Sequence, residues 1–183
     1  MKRVEALALL HEFTESDSLR KHAYAVEAAM RAYAEKYGEN QEFWGSVGLI
    51  HDFDYEKFPD QHPKKGSEIL AEKGIPEDIR TVILSHASFT GVPRDSLMAK
   101  VLYAVDELCG FITAVSLVRP NRSIGEVSPK SVKKKMKDKR FAAKVNREEI
   151  HDGAKELGVD FDEHIRTVVK AMSGIAQELG LNP

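Results

Sequence analysis

The chain has 183 residues, enough for one domain with a full core and too few for two comfortable ones. Hydrophobic residues at 42% and charged residues at 31% are ordinary for a soluble globular protein. A net charge of -2 excludes an overall attraction to nucleic acid or to an anionic membrane.

In chain order, the opening Met1-Lys2-Arg3-Val4-Glu5 enters a helical pattern instead of a signal-peptide core. Val4 to Phe13 reads as a short helix. Ser16 or Asp17 can cap a long one that runs to Tyr37 and stops at Gly38. Gln41 to His51 is a third. The stretch from Phe53 to Gln61, with Pro59 and many charges, is a loop. Pro63 opens a helix that ends at Gly74, and Pro76 opens one that ends near His86. Ser88 to Pro93, with Gly91, is a loop. Asp95 or Ser96 then caps a long apolar helix that carries the only cysteine, Cys109, and reaches Val118. A lone cysteine excludes an intrachain disulfide and points to a reducing compartment. Arg119-Pro120-Asn121-Arg122-Ser123 breaks that helix. Ser128-Pro129 starts a basic helix, Asn146 caps another that ends at Gly158, and Asp160 opens the last, which ends at Gly180.

No segment alternates convincingly as a strand, and no apolar run approaches the roughly 20 residues that span a bilayer. The expected architecture is one all-α domain over residues 1–183. Its helical-bundle core covers about 16–118, with a C-terminal helical extension over about 128–183. A cytoplasmic location is the matching expectation.

Helical phase puts metal-type ligands on apolar faces. Leu19, His22, Val26, Met30 and Tyr33 recur at steps of three and four, so His22 lies on a buried stripe. Trp44, Val47, Ile50 and His51 share a face, and Asp52 follows where the helix gives way. Ile79, Val82, Ile83 and His86 line up, as do Met98, Leu102, Val105, Asp106 and Cys109. His62 sits in the intervening loop. Buried imidazoles and carboxylates are costly unless paired or bound to a cation. Several helices each aiming one inward share a simple partner, a divalent transition metal. Imidazole and carboxylate suit Fe, Mn, Co, Ni or Zn, and no thiolate selects a softer ion.

The order His22, His51-Asp52, His86, Asp106 resembles the HD superfamily of metal-dependent phosphohydrolases, with Leu49-Ile50-His51-Asp52-Phe53 and Leu102-Tyr103-Ala104-Val105-Asp106 as its local strings. The resemblance covers about Arg20 to Ala114. The chain also resembles small predicted HD hydrolases sharing Asp52-Phe53-Asp54-Tyr55-Glu56 and Tyr103-Ala104-Val105-Asp106-Glu107-Leu108. The resemblance implies that His22, His51, Asp52 and Asp106 are core ligands and that His62 and His86 add a second metal position. One or two ions are therefore expected. It also implies a phosphohydrolase acting on a nucleotide or another small phosphoester. A di-iron oxygenase on the same six ligands, or a non-catalytic regulatory module, are the alternatives.

Asp54 and Glu56 flank the metal pair, and one of them is expected to serve as acid/base or to support a ligand; both also read as solvated loop residues. Lys65, Arg119 and Arg122 are the candidates for binding substrate phosphate. Cys109 reads as core packing. His11, His151 and His164 read as surface residues because their neighbours are polar. The run Lys130, Lys133, Lys134, Lys135, Lys137, Lys139, Arg140 reads as a solvated helix face docked through Val132 and Met136. With no aromatic interleaving, a nucleic-acid partner is not expected, and neither is a membrane; the oligomeric state is left open.

Overall fold

The computed structural model describes residues 1–182. Among these the fold is all-α, with ten helices and no strand. They are α1 (Arg3–Phe13), α2 (Asp17–Tyr37), α3 (Gln41–Leu49), α4 (Lys64–Glu72), α5 (Glu77–Ser85), α6 (Leu97–Leu117), α7 (Pro129–Met136), α8 (Arg147–Leu157), α9 (Phe161–Ser173) and α10 (Ala176–Leu179).

Two 21-residue helices, α2 and α6, form the axis of the bundle. At 1.5 Å rise per residue each is about 30 Å long, enough to cross the whole core. Both begin at a serine whose hydroxyl accepts from a backbone N–H of the first turn: Ser16 from Leu19, Ser96 from Ala99. Helix α3 packs on α2, and α1 covers α3. Helices α4 and α5 pair with each other, and α5 leans on α6. Helices α7, α8 and α9 complete the other side of α6, and α9 also packs on α2. The core they enclose includes Met30, Tyr33, Phe53, Leu102, Leu108, Cys109 and Phe111, all shielded from solvent. No helix is long and apolar enough to cross a membrane.

Two departures from the sequence pattern have local causes. Helix α3 stops at Leu49, so His51 lies past its end; the His51 ring Nδ1 donates to the Gly48 carbonyl of the last turn. The expected C-terminal helix is broken at Gly174-Ile175 into α9 and α10, and Gly180 ends α10 in the left-handed region. Helix α8 lies so close on α6 that a Cβ at Gly153 would sit 2.7 Å from Ala104 Cα, so glycine is required there.

His164 corrects the surface reading: it is fully buried. Its Nε2 donates to the Ala104 carbonyl at 2.9 Å, which makes Nδ1 the acceptor for the Tyr33 hydroxyl at 2.5 Å. The flanking Asp162 and Glu163 suggested solvent, but Ile165, Val168 and Met172 on the same face are buried and define the phase. Burial pulls the imidazole down to about 4, against the weaker opposing effect of the Ala104 hydrogen bond.

This gives a pH-dependent stability. Between pH 6.5 and about 4 the unfolded chain binds a proton that the native imidazole refuses, so stability falls as pH falls through this window. The loss is on the order of 2 kcal/mol at pH 5. His164→Leu is expected to cost about 2–3 kcal/mol at pH 7.5, because the Tyr33 hydroxyl and Ala104 carbonyl lose their partner. Its deficit relative to wild type should shrink by pH 5, as measured by urea denaturation of both proteins at the two pH values.

Candidate metal centre

Four imidazoles and two carboxylates meet between α2, the α3 terminus, the α4–α5 pair and α6. His22 comes from the second turn of α2 and Asp106 from the middle of α6. His51 and Asp52 follow α3, His62 precedes α4, and His86 is the C-cap of α5. His22 Nε2 lies 2.9 Å from Asp106 Oδ1, and His51 Nε2 lies 3.3 Å from the same oxygen. Asp52 joins the two halves. Its Oδ2 is 3.5 Å from His51 Nε2 and 4.0 Å from His22 Nε2. Its Oδ1 is 3.2 Å from His62 Nε2 and 3.1 Å from His86 Nε2.

These separations fit a cation. Two donors bound to one ion at about 2.1 Å, at roughly tetrahedral or octahedral angles, lie about 3.0–3.4 Å apart. Two groups, His22-His51-Asp106 and His51-Asp52-His86, each bring one ligand atom per residue to within 4.8 Å of one another and can hold an ion. The hydrogen bonds point the same way. His51 Nε2 and Asp52 Oδ1 are buried with no hydrogen-bond partner, an expensive state that a metal ion relieves.

The outer contacts orient the rings. His51 Nδ1 donates to Gly48 O at 2.7 Å and His86 Nδ1 to Ile83 O at 2.5 Å. Each histidine so closes its own helix and turns Nε2 to the centre. His62 has no helix end to cap, and Asp54 takes that role: its Oδ1 pairs with His62 Nδ1 at 2.7 Å. Asp54 is itself buried, its Oδ2 accepting from the Gly66 N–H at 2.7 Å. A Cβ at Gly66 would lie 2.7 Å from Asp54 Cγ, so only glycine admits this contact. Such second contacts fix the tautomer and geometry of a ligating ring.

The imidazoles and carboxylates shift one another's proton affinities. Burial pulls His62 down, but the adjacent Asp52 and Asp54 carboxylates outweigh it and push it up to about 9. His51 and His86 are raised in the same way, burial being overcome chiefly by Asp52. Burial works to raise Asp52 and Asp106, yet His51 above all, with its histidine neighbours, holds both low. Burial, then Asp106, pushes Glu107 up to about 7.

The centre opens into a cavity of ≈ 400 Å³. Tyr55, Phe89, Glu107, Lys144 and Glu149 are among its wall residues. The remaining sequence candidates lie elsewhere. Glu56 accepts from the backbone N–H groups of Glu15 and Ser16 and ties its turn to the α1–α2 corner. Lys65 pairs with Glu68 at 2.9 Å. Arg122 lines a neighbouring cavity of ≈ 410 Å³ that shares His22 and Gly110 with the first, and Arg119 lines neither. Glu107, Lys144 and Glu149 escaped the sequence reading. Glu107 follows Asp106 and had a detectable signal, whereas Lys144 and Glu149 come from distant chain.

An all-α bundle with a His/Asp cluster gathered between its helices defines a class of metal-site proteins. The HD domain matches residues 19–110, just over half of the chain, and the protein belongs to that family, a metal-dependent hydrolase-type superfamily. No curated protein and no solved structure matches the sequence.

Two variants separate the halves of the centre. Asp52→Ala should abolish retention of metal, because both halves share this carboxylate. Asp54→Ala should weaken one half by about 10–100-fold, through loss of His62 orientation. Titration with Mn and elemental analysis would measure both, with helicity followed by circular dichroism to confirm the fold. Metal binding to wild type should also release protons at pH 7, seen as buffer-dependent heats in calorimetry, since the ligand imidazoles are raised.

Proposed function

We propose that the chain is a metal-dependent phosphohydrolase acting on a nucleotide or another small phosphoester. The whole chain, 1–183, acts as one HD unit. The two halves of the cluster would hold one divalent ion each, drawn from Fe, Mn, Co, Ni and Zn. The observation that carries this reading is the Asp52 carboxylate, with one oxygen facing His22 and His51 and the other facing His62 and His86, open to a substrate-sized cavity. When bound, such paired ions lower the pKa of a water and neutralise charge on the transferring phosphoryl group.

The chain's own residues do the rest. His51, His62 and His86, fixed through Nδ1, present Nε2 without rearrangement. Asp54 is committed to His62 and the Gly66 N–H, so its role is to orient a ligand. Among carboxyls outside the ligand set, Glu107 lines the cavity directly beside Asp106 and moves the leaving-group proton. Tyr55 and Phe89 line the same cavity and are exposed at 45% and 76%, offering aromatic faces on which a base can stack. This favours a nucleotide over an aliphatic phosphoester. Arg122, in the adjoining cavity past His22, suits a further anionic group of a longer substrate.

The metal-loaded protein should hydrolyse nucleoside phosphates equally in air and under argon, and chelator should remove the activity. Glu107→Gln should lower kcat by about 10²–10⁴-fold with metal content unchanged. Phe89→Ala should raise KM for a nucleotide about tenfold with little change in kcat. An oxygen requirement with an organic substrate would replace this reading with a di-iron oxygenase.

A further inference from the structure

We propose that Lys144 is the cation that binds the substrate's phosphate at the metal cavity, and that Arg147 positions it by pinning loop 137–146. The inference rests on the phosphohydrolase reading and adds to it a contribution from chain outside the matched residues 19–110.

Three charged side chains outside the metal-ligand set line the cavity: Glu107, Glu149 and Lys144. The two glutamates repel a phosphate. Lys144 is the cation in that wall, and it forms no ion pair among the described residues. Lys65, Lys21 and Lys133, by contrast, are paired with Glu68, Asp17 and Asp162. Lys144 is therefore free for an external anion.

Its loop is built rigidly. The Arg147 guanidinium donates to the carbonyls of Met136 at 3.2 Å, Asp138 at 3.0 Å, Val145 at 3.1 Å and Ala142 at 3.4 Å, and also to that of Phe141. A planar fork of five donors can serve acceptors spread along a curved loop; a single ammonium cannot. Ala142 lies at φ 45, a left-handed conformation that a non-glycine residue adopts only when its surroundings impose it. Phe141 packs edge-on against Phe111 at 5.6 Å, and the Asn146 N–H donates to Glu107 Oε2 at 3.1 Å. The loop is thus fastened to α6 one residue from Asp106. A merely solvated lysine face has no need of such fixing. A phosphate-binding cation does, because its benefit depends on placement relative to the metal ligands.

The test is calorimetric titration of inorganic phosphate into the Mn-loaded full-length protein. Lys144→Ala should weaken phosphate binding about tenfold, as expected for loss of one charge-assisted contact. Lys144→Arg should keep most of the affinity, and neither should change Mn content. Arg147→Ala should weaken phosphate binding with Mn affinity intact, and Arg147→Lys should fail to restore it. The double variant K144A/R147A should bind no more weakly than K144A alone, because the arginine acts through the lysine. Wild-type phosphate affinity in K144A, with Mn retained, would overturn the inference and leave the phosphohydrolase reading standing. A wild-type protein that retains Mn yet binds no phosphate would bring down the phosphohydrolase reading itself, and this inference with it.

Discussion

One carboxylate organises the structure around it. Asp52 places its two oxygens against four imidazole nitrogens at 3.1–4.0 Å, in a setting where His51 Nε2 and Asp52 Oδ1 have no hydrogen-bond partner. Lone pairs facing lone pairs in a low-dielectric interior are tolerable only when a proton or a cation lies between them. The surrounding fold keeps that arrangement in place. Helices α3 and α5 end where they do with a histidine closing the last turn, and Gly66 gives up a side chain so that Asp54 can hold His62. Local helix termination and ligand orientation are the same hydrogen bonds.

The centre is also mounted on rigid parts. His22 and Asp106 sit on the two axial helices, whose contact sets the His22–Asp106 separation of 2.9 Å. Helix α8 touches α6 at Gly153 and Ala104, and His164 on α9 reaches the Ala104 carbonyl. The back of the ligand-bearing helix is therefore buttressed by the C-terminal third of the chain. Two residues from Asp106, that contact leaves little room for α6 to slide. The extension is a structural support of the centre, and it also supplies Lys144 and Glu149 to the cavity wall.

Electrostatics at the cavity have two layers. Deep inside, imidazoles and carboxylates balance each other, so the ligands are held ready without repelling one another apart. At the wall stand Glu107, Glu149 and Lys144, and exposed Tyr55 and Phe89 supply apolar surface. With a formal net charge of -2, the chain as a whole does not draw in an anion.

Much of this was legible in the sequence. Helical spacing put His22, His51, His86 and Asp106 on apolar stripes, and serine, proline and glycine marked most helix ends, because capping and phase are local physics carried by neighbours three or four residues away. The HD order of ligands was readable for the same reason. His164 was misread because its immediate neighbours are charged, although its own stripe of Ile165, Val168 and Met172 held the correct signal. The partners of Glu56, and the approach of Lys144 and Glu149 to the cavity, were decided only by tertiary structure. Each of these contacts depends on how helices and loops far apart in the chain are packed, and a local pattern holds no record of a neighbour 40 residues away.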